Sequence, residues 1–463
     1  MRALLISTYD LGRQPFGLAS PAAWLRKSGV EVDCVDTSRD PLDDGRIAAA
    51  SLVAFYLPMH TATRLAVPLI DRVCRVNPSA RLCAYGLYAP LNAHWLRARG
   101  VTDIIGPEAE AELVDIATSR LPTSNSQGPE PKAHGPEPKA RSLPRLQFVQ
   151  PDRAGLPPPA RYASLRMPDG TRRTIGSTDA SRGCKHLCRH CPIVPVYRGR
   201  FRIVPIDVVI ADIRAQVASG AEHISFGDPD FLNGPTHARR LVERIAREFP
   251  GLSYDVTVKI EHLLRHAEMI PVLRDTGCVF VTSAVESIDD VVLDRLRKGH
   301  TRADFIRAVA LCRDAGLTLA PTFIPFTPWT TPDGYVELLD LLDGLALVEH
   351  VAPIQLGIRL LITAESPLLE LLDIRRRVTE FDHASLTWPW RHEDPRVDAL
   401  QEQVMQIVRA GATRPRAEVF SAIATLARAQ GGFPPAAVRT PAGAAVPYIS
   451  EPWYCCAEPM EQF

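Results

Sequence analysis

Through residues 1–117, short apolar runs alternate with segments of helical spacing. ALLIS (3–7) reads as a buried strand, a helix follows around 21–27, and VEVDCVD (30–36), SLVAFYL (51–57) and ARLCAYG (80–86) read as three more strands. Strands separated by helix-length segments predict a parallel sheet with right-handed crossovers. The pattern breaks over 118–160, a Pro-, Ser- and Gly-rich stretch holding GPEPKA twice, at 128–133 and 135–140. Such a composition buries too little apolar surface to order itself, and is expected to be a linker. The rhythm resumes over 161–375, with strand candidates HISFG (223–227), SYDVTV (253–258), CVFVTSA (278–284), LTLAPTFI (317–324) and IQLGIRL (354–360). Repeated βα units of this kind predict a full or partial (β/α) barrel, with ligands at the C-terminal ends of its strands. In the remaining segment, 376–463, VDALQEQVMQIVRAG (397–411) and AEVFSAIATLARAQG (417–431) read as helices that stop at glycine.

Composition narrows the class. The 463 residues carry 53 basic and 53 acidic side chains, for zero net charge, which argues against a general grip on nucleic acid or an anionic membrane. No apolar run is long enough to span a bilayer, and MRALLISTYD reaches Asp10 too early for a signal-peptide core, so a cytoplasmic protein is expected. The ten cysteines are then not a disulfide framework. Cys34, Cys74, Cys83, Cys278 and Cys312 sit in apolar runs and read as core residues. Two groups stand apart: Cys184, Cys188 and Cys191, and the adjacent Cys455 and Cys456.

The first group lies in Ser-Arg-Gly-Cys-Lys-His-Leu-Cys-Arg-His-Cys-Pro (181–192), just ahead of the βα repeats. A short loop with C-x3-C-x2-C spacing can hold three irons of a cubane and leave the fourth open to a substrate or cofactor. Gly183 would let the backbone approach the cluster closely. The competing assignment is a structural zinc site with His186 or His190 as fourth ligand. No G-x-G-x-x-G follows the first strand, so a dinucleotide fingerprint is missing. His262 and His266, four apart, read more readily as a solvated helix face than as a metal pair, and Lys298, like Lys259, as a solvated charge.

SRGCKHLCRHC (181–191) resembles the cluster loop of the radical S-adenosylmethionine (SAM) superfamily, although His190 stands where that family usually has an aromatic residue. The resemblance implies a [4Fe-4S] cluster on Cys184, Cys188 and Cys191, SAM chelated at the open iron, and an electron donor such as flavodoxin or ferredoxin. Phe-Gly-Asp-Pro-Asp-Phe (226–231) is similar to the acidic form of the second-strand motif, and Ser-Ala-Val-Glu-Ser (283–287) to the fourth-strand motif. They imply SAM contacts from Asp228, Asp230 and Glu286, with Lys259 facing the site and His190 near adenine. Residues 1–117 resemble the flavodoxin-like cobalamin-binding domain found ahead of many such barrels, with GVTDIIGPEAEAEL (100–113) in place of a GEGE-like stretch. The D-x-H-x-x-G ligand motif is absent, which removes one binding mode but leaves cobalamin open as a cofactor. The expected fold is α/β: a flavodoxin-like domain, a partial (β/α)6 barrel and a helical C-terminal region.

Trp-Tyr-Cys-Cys-Ala-Glu-Pro (453–459) resembles the ending of the CUAEP/CCAEP-tail radical SAM group, in which selenocysteine sometimes fills the second position, here Cys456. Adjacent thiolates form a soft site for Cu(I) or Zn(II), and by the same softness for trivalent arsenic. The whole is similar to the radical SAM enzymes of arsinothricin biosynthesis, which implies transfer of the 3-amino-3-carboxypropyl group of SAM to arsenic held by Cys455 and Cys456. A small-molecule substrate follows. The alternatives are a cobalamin-dependent radical SAM methyltransferase and a non-catalytic metal-binding protein.

Overall fold

The computed structural model describes residues 1–119, 146–434 and 445–451. The cysteine pair 455–456 and the GPEPKA repeats lie outside the described residues. The first unit is a five-stranded parallel sheet built from β1 (Arg2–Ser7), β2 (Glu31–Asp36), β3 (Leu52–Tyr56), β4 (Arg81–Tyr85) and β5 (Asp103–Ile104), in the order β2-β1-β3-β4-β5. That is the flavodoxin-like order, whose ligand crevice opens where β1 and β3 diverge, beyond their C-terminal ends. The middles of β1, β3 and β4 are apolar because helices cover both faces, and the two faces have separate cores. Helix Phe16–Lys27 contains Pro21, which has no N–H for the carbonyl of Gly17. The Tyr85 hydroxyl donates to that carbonyl at 2.8 Å, tying the start of the helix to the end of β4.

The second unit is a seven-stranded half-barrel. It comprises β6 (Ser164–Arg166), β7 (Arg172–Thr178), β10 (His223–Phe226), β11 (Ser253–Thr257), β12 (Cys278–Glu286), β13 (Thr318–Phe323) and β14 (Tyr448–Ile449), with β8 (Ser181–Gly183) and β9 (Phe201–Ile203) forming a separate hairpin. The order is β13-β12-β11-β10-β7-β6-β14; β7 and β10 to β13 run parallel, and β6 and β14 are antiparallel additions at one edge. Alternation along β11 explains the two faces: Tyr254 and Val256 enter the core beneath the helices, while Ser253 and Asp255 face inward and hold His223 at 2.9 Å each.

Two elements differ from the sequence expectation. The run 354–360 does not form a sixth strand. Pro353–Leu356 is a 3-10 turn, and only a single bridge, Phe326 to Arg359, marks the place. Pro353 removes a ladder donor, and Arg359 leaves the sheet to pair with Asp398 at 2.7 Å and stack over Trp390. Residues 146–160, inside the expected linker, are packed. Arg153 reaches Asp212 at 2.9 Å and Gln14 at 2.7 Å, bridging the two units. Helices Pro395–Ala410 and Arg416–Gly431 form as the periodicity predicts, and the second ends at Gly432 in the left-handed conformation.

Candidate active site

The loop between β8 and β9 carries Cys184, Cys188 and Cys191. All three are free thiols; the first two are buried and the third half-buried. They share the wall of one cavity of about 310 Å³. Gly183 is needed for a reason other than close approach to a cluster. Its φ is +77°, and a Cβ there would lie 2.4 Å from the Tyr197 ring and 2.5 Å from the Arg200 carbonyl. Burial pushes the Cys184 thiol up to about 12, so a thiolate at this position calls for a bound cation. Three thiols on one cavity wall, with no fourth among the described residues that line it, suit a cubane with one open iron, so these residues fit the group the spacing implies.

The facing wall comes from the barrel. Glu286 ends β12 in the left-handed region, φ +71°, beside a register shift between Ala284 and Glu286. A non-glycine residue held there is strained, and such strain concentrates at functional sites. Its Oε1 lies 3.1 Å from His190 Nε2 and 3.3 Å from Lys298 Nζ, all three residues being buried. Burial raises the Glu286 carboxyl, but Lys298 and His190 outweigh it and bring it down to about 2. Lys259, also buried, lines the same cavity 3.6 Å from Glu261. Lys259 and Lys298 are therefore not solvated charges, contrary to the expectation.

Asp228 and Asp230 part company. Asp228 lines the cavity and accepts from the Ala180 N–H at 2.8 Å and the Ser181 hydroxyl at 2.5 Å. Burial, with Asp179 adding to it, pushes its carboxyl up to about 7. A folded value above the unfolded one means that its contribution to stability is full in acid and is lost as pH rises from about 4 through about 7. We expect the urea midpoint of the Asp228→Asn protein to fall less than that of the parent between pH 5 and pH 8; equal slopes would contradict this assignment. Asp230 does not reach the cavity wall. One oxygen accepts from the Leu232 N–H at 3.2 Å; the other lies 2.6 Å from His262 Nδ1 and 3.2 Å from His186 Nε2. His262 is fully buried, so only His266 of that pair keeps some exposure.

The first unit closes the cavity. Asp10, Leu11 and Arg13 from beyond β1, Pro58 and Met59 from beyond β3, and Leu87 and Tyr88 from beyond β4 line it, which is the crevice the sheet order predicts. The interface is held by buried ion pairs. Arg182, two residues before Cys184, meets Glu110 at 2.6 Å, and Arg202 meets Glu108 at 2.7 Å. The GEGE-like stretch thus grips the hairpin that carries the thiols. Sequence reasoning missed Arg182, Glu108 and Glu110; the adjacency of Arg182 to the first cysteine was the available signal.

Residues 179–342 match the model of the radical SAM superfamily. Among curated proteins, the chain is 26% identical over 160 residues to a hopanoid C-3 methylase of Methylococcus capsulatus, covering 35% of this chain and 30% of that protein. It is 31% identical over 275 residues to a tRNA-2-methylthio-N(6)-dimethylallyladenosine synthase of Sorangium cellulosum, covering 52% of this chain and 50% of the relative. The matches therefore span a third to a half of these relatives' length. Among solved structures, the cobalamin-dependent SAM radical enzyme OxsB with aqua-cobalamin bound superposes with a TM-score of 0.69 at 14% identity, covering 93% of this chain and 71% of that one. The radical SAM methyltransferase TsrM from Kitasatospora setae, with cobalamin and a [4Fe-4S] cluster, gives 0.55 at 18% identity, covering 74% and 70%. These likenesses establish the α/β fold and its two-unit arrangement. Among the described residues, no helix is long and apolar enough to cross a membrane.

Proposed function

We propose that this chain, whose residues 179–342 match the radical SAM superfamily model, reductively cleaves SAM at a [4Fe-4S] cluster held by Cys184, Cys188 and Cys191, and modifies a small substrate in the cavity between its two units. One observation carries the reading: the three thiols and the fixed Lys298–Glu286–His190 group line the same cavity. When bound, the cluster supplies one electron, delivered by a donor such as flavodoxin or ferredoxin, and an open iron for the amine and carboxylate of SAM. The chain does the rest. Glu286, kept ionised by the Lys298 ammonium and its contact with His190, offers a fixed negative charge to the methionyl ammonium. Lys259 offers a positive charge to the carboxylate, and Asp228 a second acidic group. Phe16, Tyr56, Met59 and Leu87 exclude water from the far wall.

The finer reading is transfer of the 3-amino-3-carboxypropyl group of SAM to trivalent arsenic held by Cys455 and Cys456. Glu451 accepts from the Tyr9 hydroxyl at 2.6 Å, next to the cavity-lining Asp10 and Leu11. Cys455 and Cys456 follow Glu451 four and five positions later in the sequence. The second reading, a cobalamin-dependent methyltransferase, is supported by the flavodoxin-like crevice opening onto this cavity and by the likeness to OxsB and TsrM. The first unit presents no imidazole among the described cavity residues, so no ligand for cobalt is assigned here.

The nucleoside released from SAM separates these readings. Anaerobically reconstituted protein with a strong reductant is expected to give 5′-methylthioadenosine, rising when arsenite is added. 5′-Deoxyadenosine alone would overturn the transfer to arsenic and leave the radical reading standing. Neither product, from protein with a full cluster, would overturn both. Corrinoid absorbance retained after reconstitution with cobalamin would favour the methyltransferase.

A further inference from the structure

At the edge of the SAM cavity, whose wall His186 shares, the described residues bring together three metal-binding side chains, His186, Asp230 and His262. One donor atom from each lies within 4.8 Å of the others. They come from three places in the chain: the cluster loop, the loop after β10 and helix Ile260–Arg265. Asp230 and His262 are fully buried, and the His186 side chain is nearly so. Two imidazoles converge on one carboxylate oxygen, Asp230 Oδ2, at 2.6 Å from His262 Nδ1 and 3.2 Å from His186 Nε2, and the second ring nitrogen, His262 Nε2, has no hydrogen-bond partner. A buried polar atom is seldom left in that condition, and three donor atoms drawn together around one point suit a cation. The remaining nitrogen of His186, Nδ1, lies 3.5 Å from Glu261 Oε2, the carboxylate partner that a metal-bound imidazole usually has.

We propose that His186, Asp230 and His262 form a second metal site, for a divalent transition ion of the zinc or ferrous kind, next to the cluster loop. Two imidazoles and one carboxylate are a recognised donor set for such ions at ~2.0–2.2 Å, and they are harder donors than the thiols 184, 188 and 191. The ion neutralises the buried Asp230 and fastens the middle of the C-x3-C segment to the loops after β10 and β11. It leaves at least one coordination position open. The assignment stands independently of which SAM bond is broken, and of whether the enzyme cleaves SAM at all.

The test uses the full-length reconstituted enzyme carrying Cys455→Ser and Cys456→Ser, so that the tail cannot bind the probe. The protein is passed over chelating resin, equilibrated anaerobically with zinc, and analysed for zinc, iron and sulfide. One zinc per chain above a full cluster is expected, with only nitrogen and oxygen scatterers near 2.0–2.1 Å in its X-ray absorption spectrum. His262→Ala is expected to lose that zinc and keep its iron and sulfide, while His266→Ala keeps both. No zinc in the parent, sulfur scatterers at about 2.3 Å, or zinc unchanged by His262→Ala would each overturn the site. If His262→Ala loses iron as well, the spectrum of the parent decides.

Discussion

Replacing Cys184 by alanine is expected to abolish both iron binding and SAM cleavage while leaving the fold in place. Two thiols cannot hold three irons of a cubane, so the loss should be complete rather than graded. The structural cost is small, because the substitution removes one sulfur from a loop facing a cavity. Cys278 is the control. It is 5% exposed in the barrel core, with its thiol against the Phe280 carbonyl at 3.2 Å. Cys278→Ala should cost about 1 kcal/mol, the scale of a lost buried group and a small void, and keep its iron. Iron and labile sulfide, together with a urea titration, separate the two. A Cys184→Ala protein that kept its iron and its SAM cleavage would sink the cluster assignment.

The second large effect concerns the grip of the first unit on the cluster loop. Arg182 and Glu110 are 2.6 Å apart with side chains only 8% and 3% exposed. The guanidinium also lies over Phe16 and Phe148, at 5.4 and 5.2 Å, and Ser20 bridges the pair. Glu110→Ala leaves the buried Arg182 with only the more distant Asp179, 3.7 Å from its Nε, and should destabilise the protein by about 2–4 kcal/mol. The paired change Arg182→Met with Glu110→Leu removes both charges and should recover most of that, since a buried ion pair is often no better than apolar residues of similar size. The urea midpoints of Arg182→Met, Glu110→Leu and the double variant form the cycle, with Glu110→Ala measured beside it. A Glu110→Ala protein as stable as the parent would show that Arg182 finds other compensation.

Much of the fold was legible because buried parallel strands are continuous apolar runs. ALLIS, SLVAFYL and CVFVTSA all became strands close to the positions their pattern gave. IQLGIRL was misread for the same reason: its apolar content is that of a strand, but Pro353 and Gly357 flank and interrupt it. The three thiols were legible from spacing alone, because their chemistry is local. The charges around them were not. Lys298 reads like any surface lysine until Glu286 is found 3.3 Å away. Likewise, the spacing of His262 and His266 shows that they share a helix face, not which face is buried. Arg182 and Glu110 are separated by 72 positions, and nothing in either segment announces the other.

The edge strand β14 has a bearing on how the molecule is made. It extends the half-barrel sheet by pairing with β6, and Ser450 joins Ser164 across a separation of 286 residues. Closing so long a loop is entropically slow, and a ribosome makes the β6 side long before its partner. The first sheet, the thiol loop and the five parallel strands can therefore assemble while that edge is still bare. The two-residue β14 then covers the β6 edge last, away from the residues that line the thiol cavity.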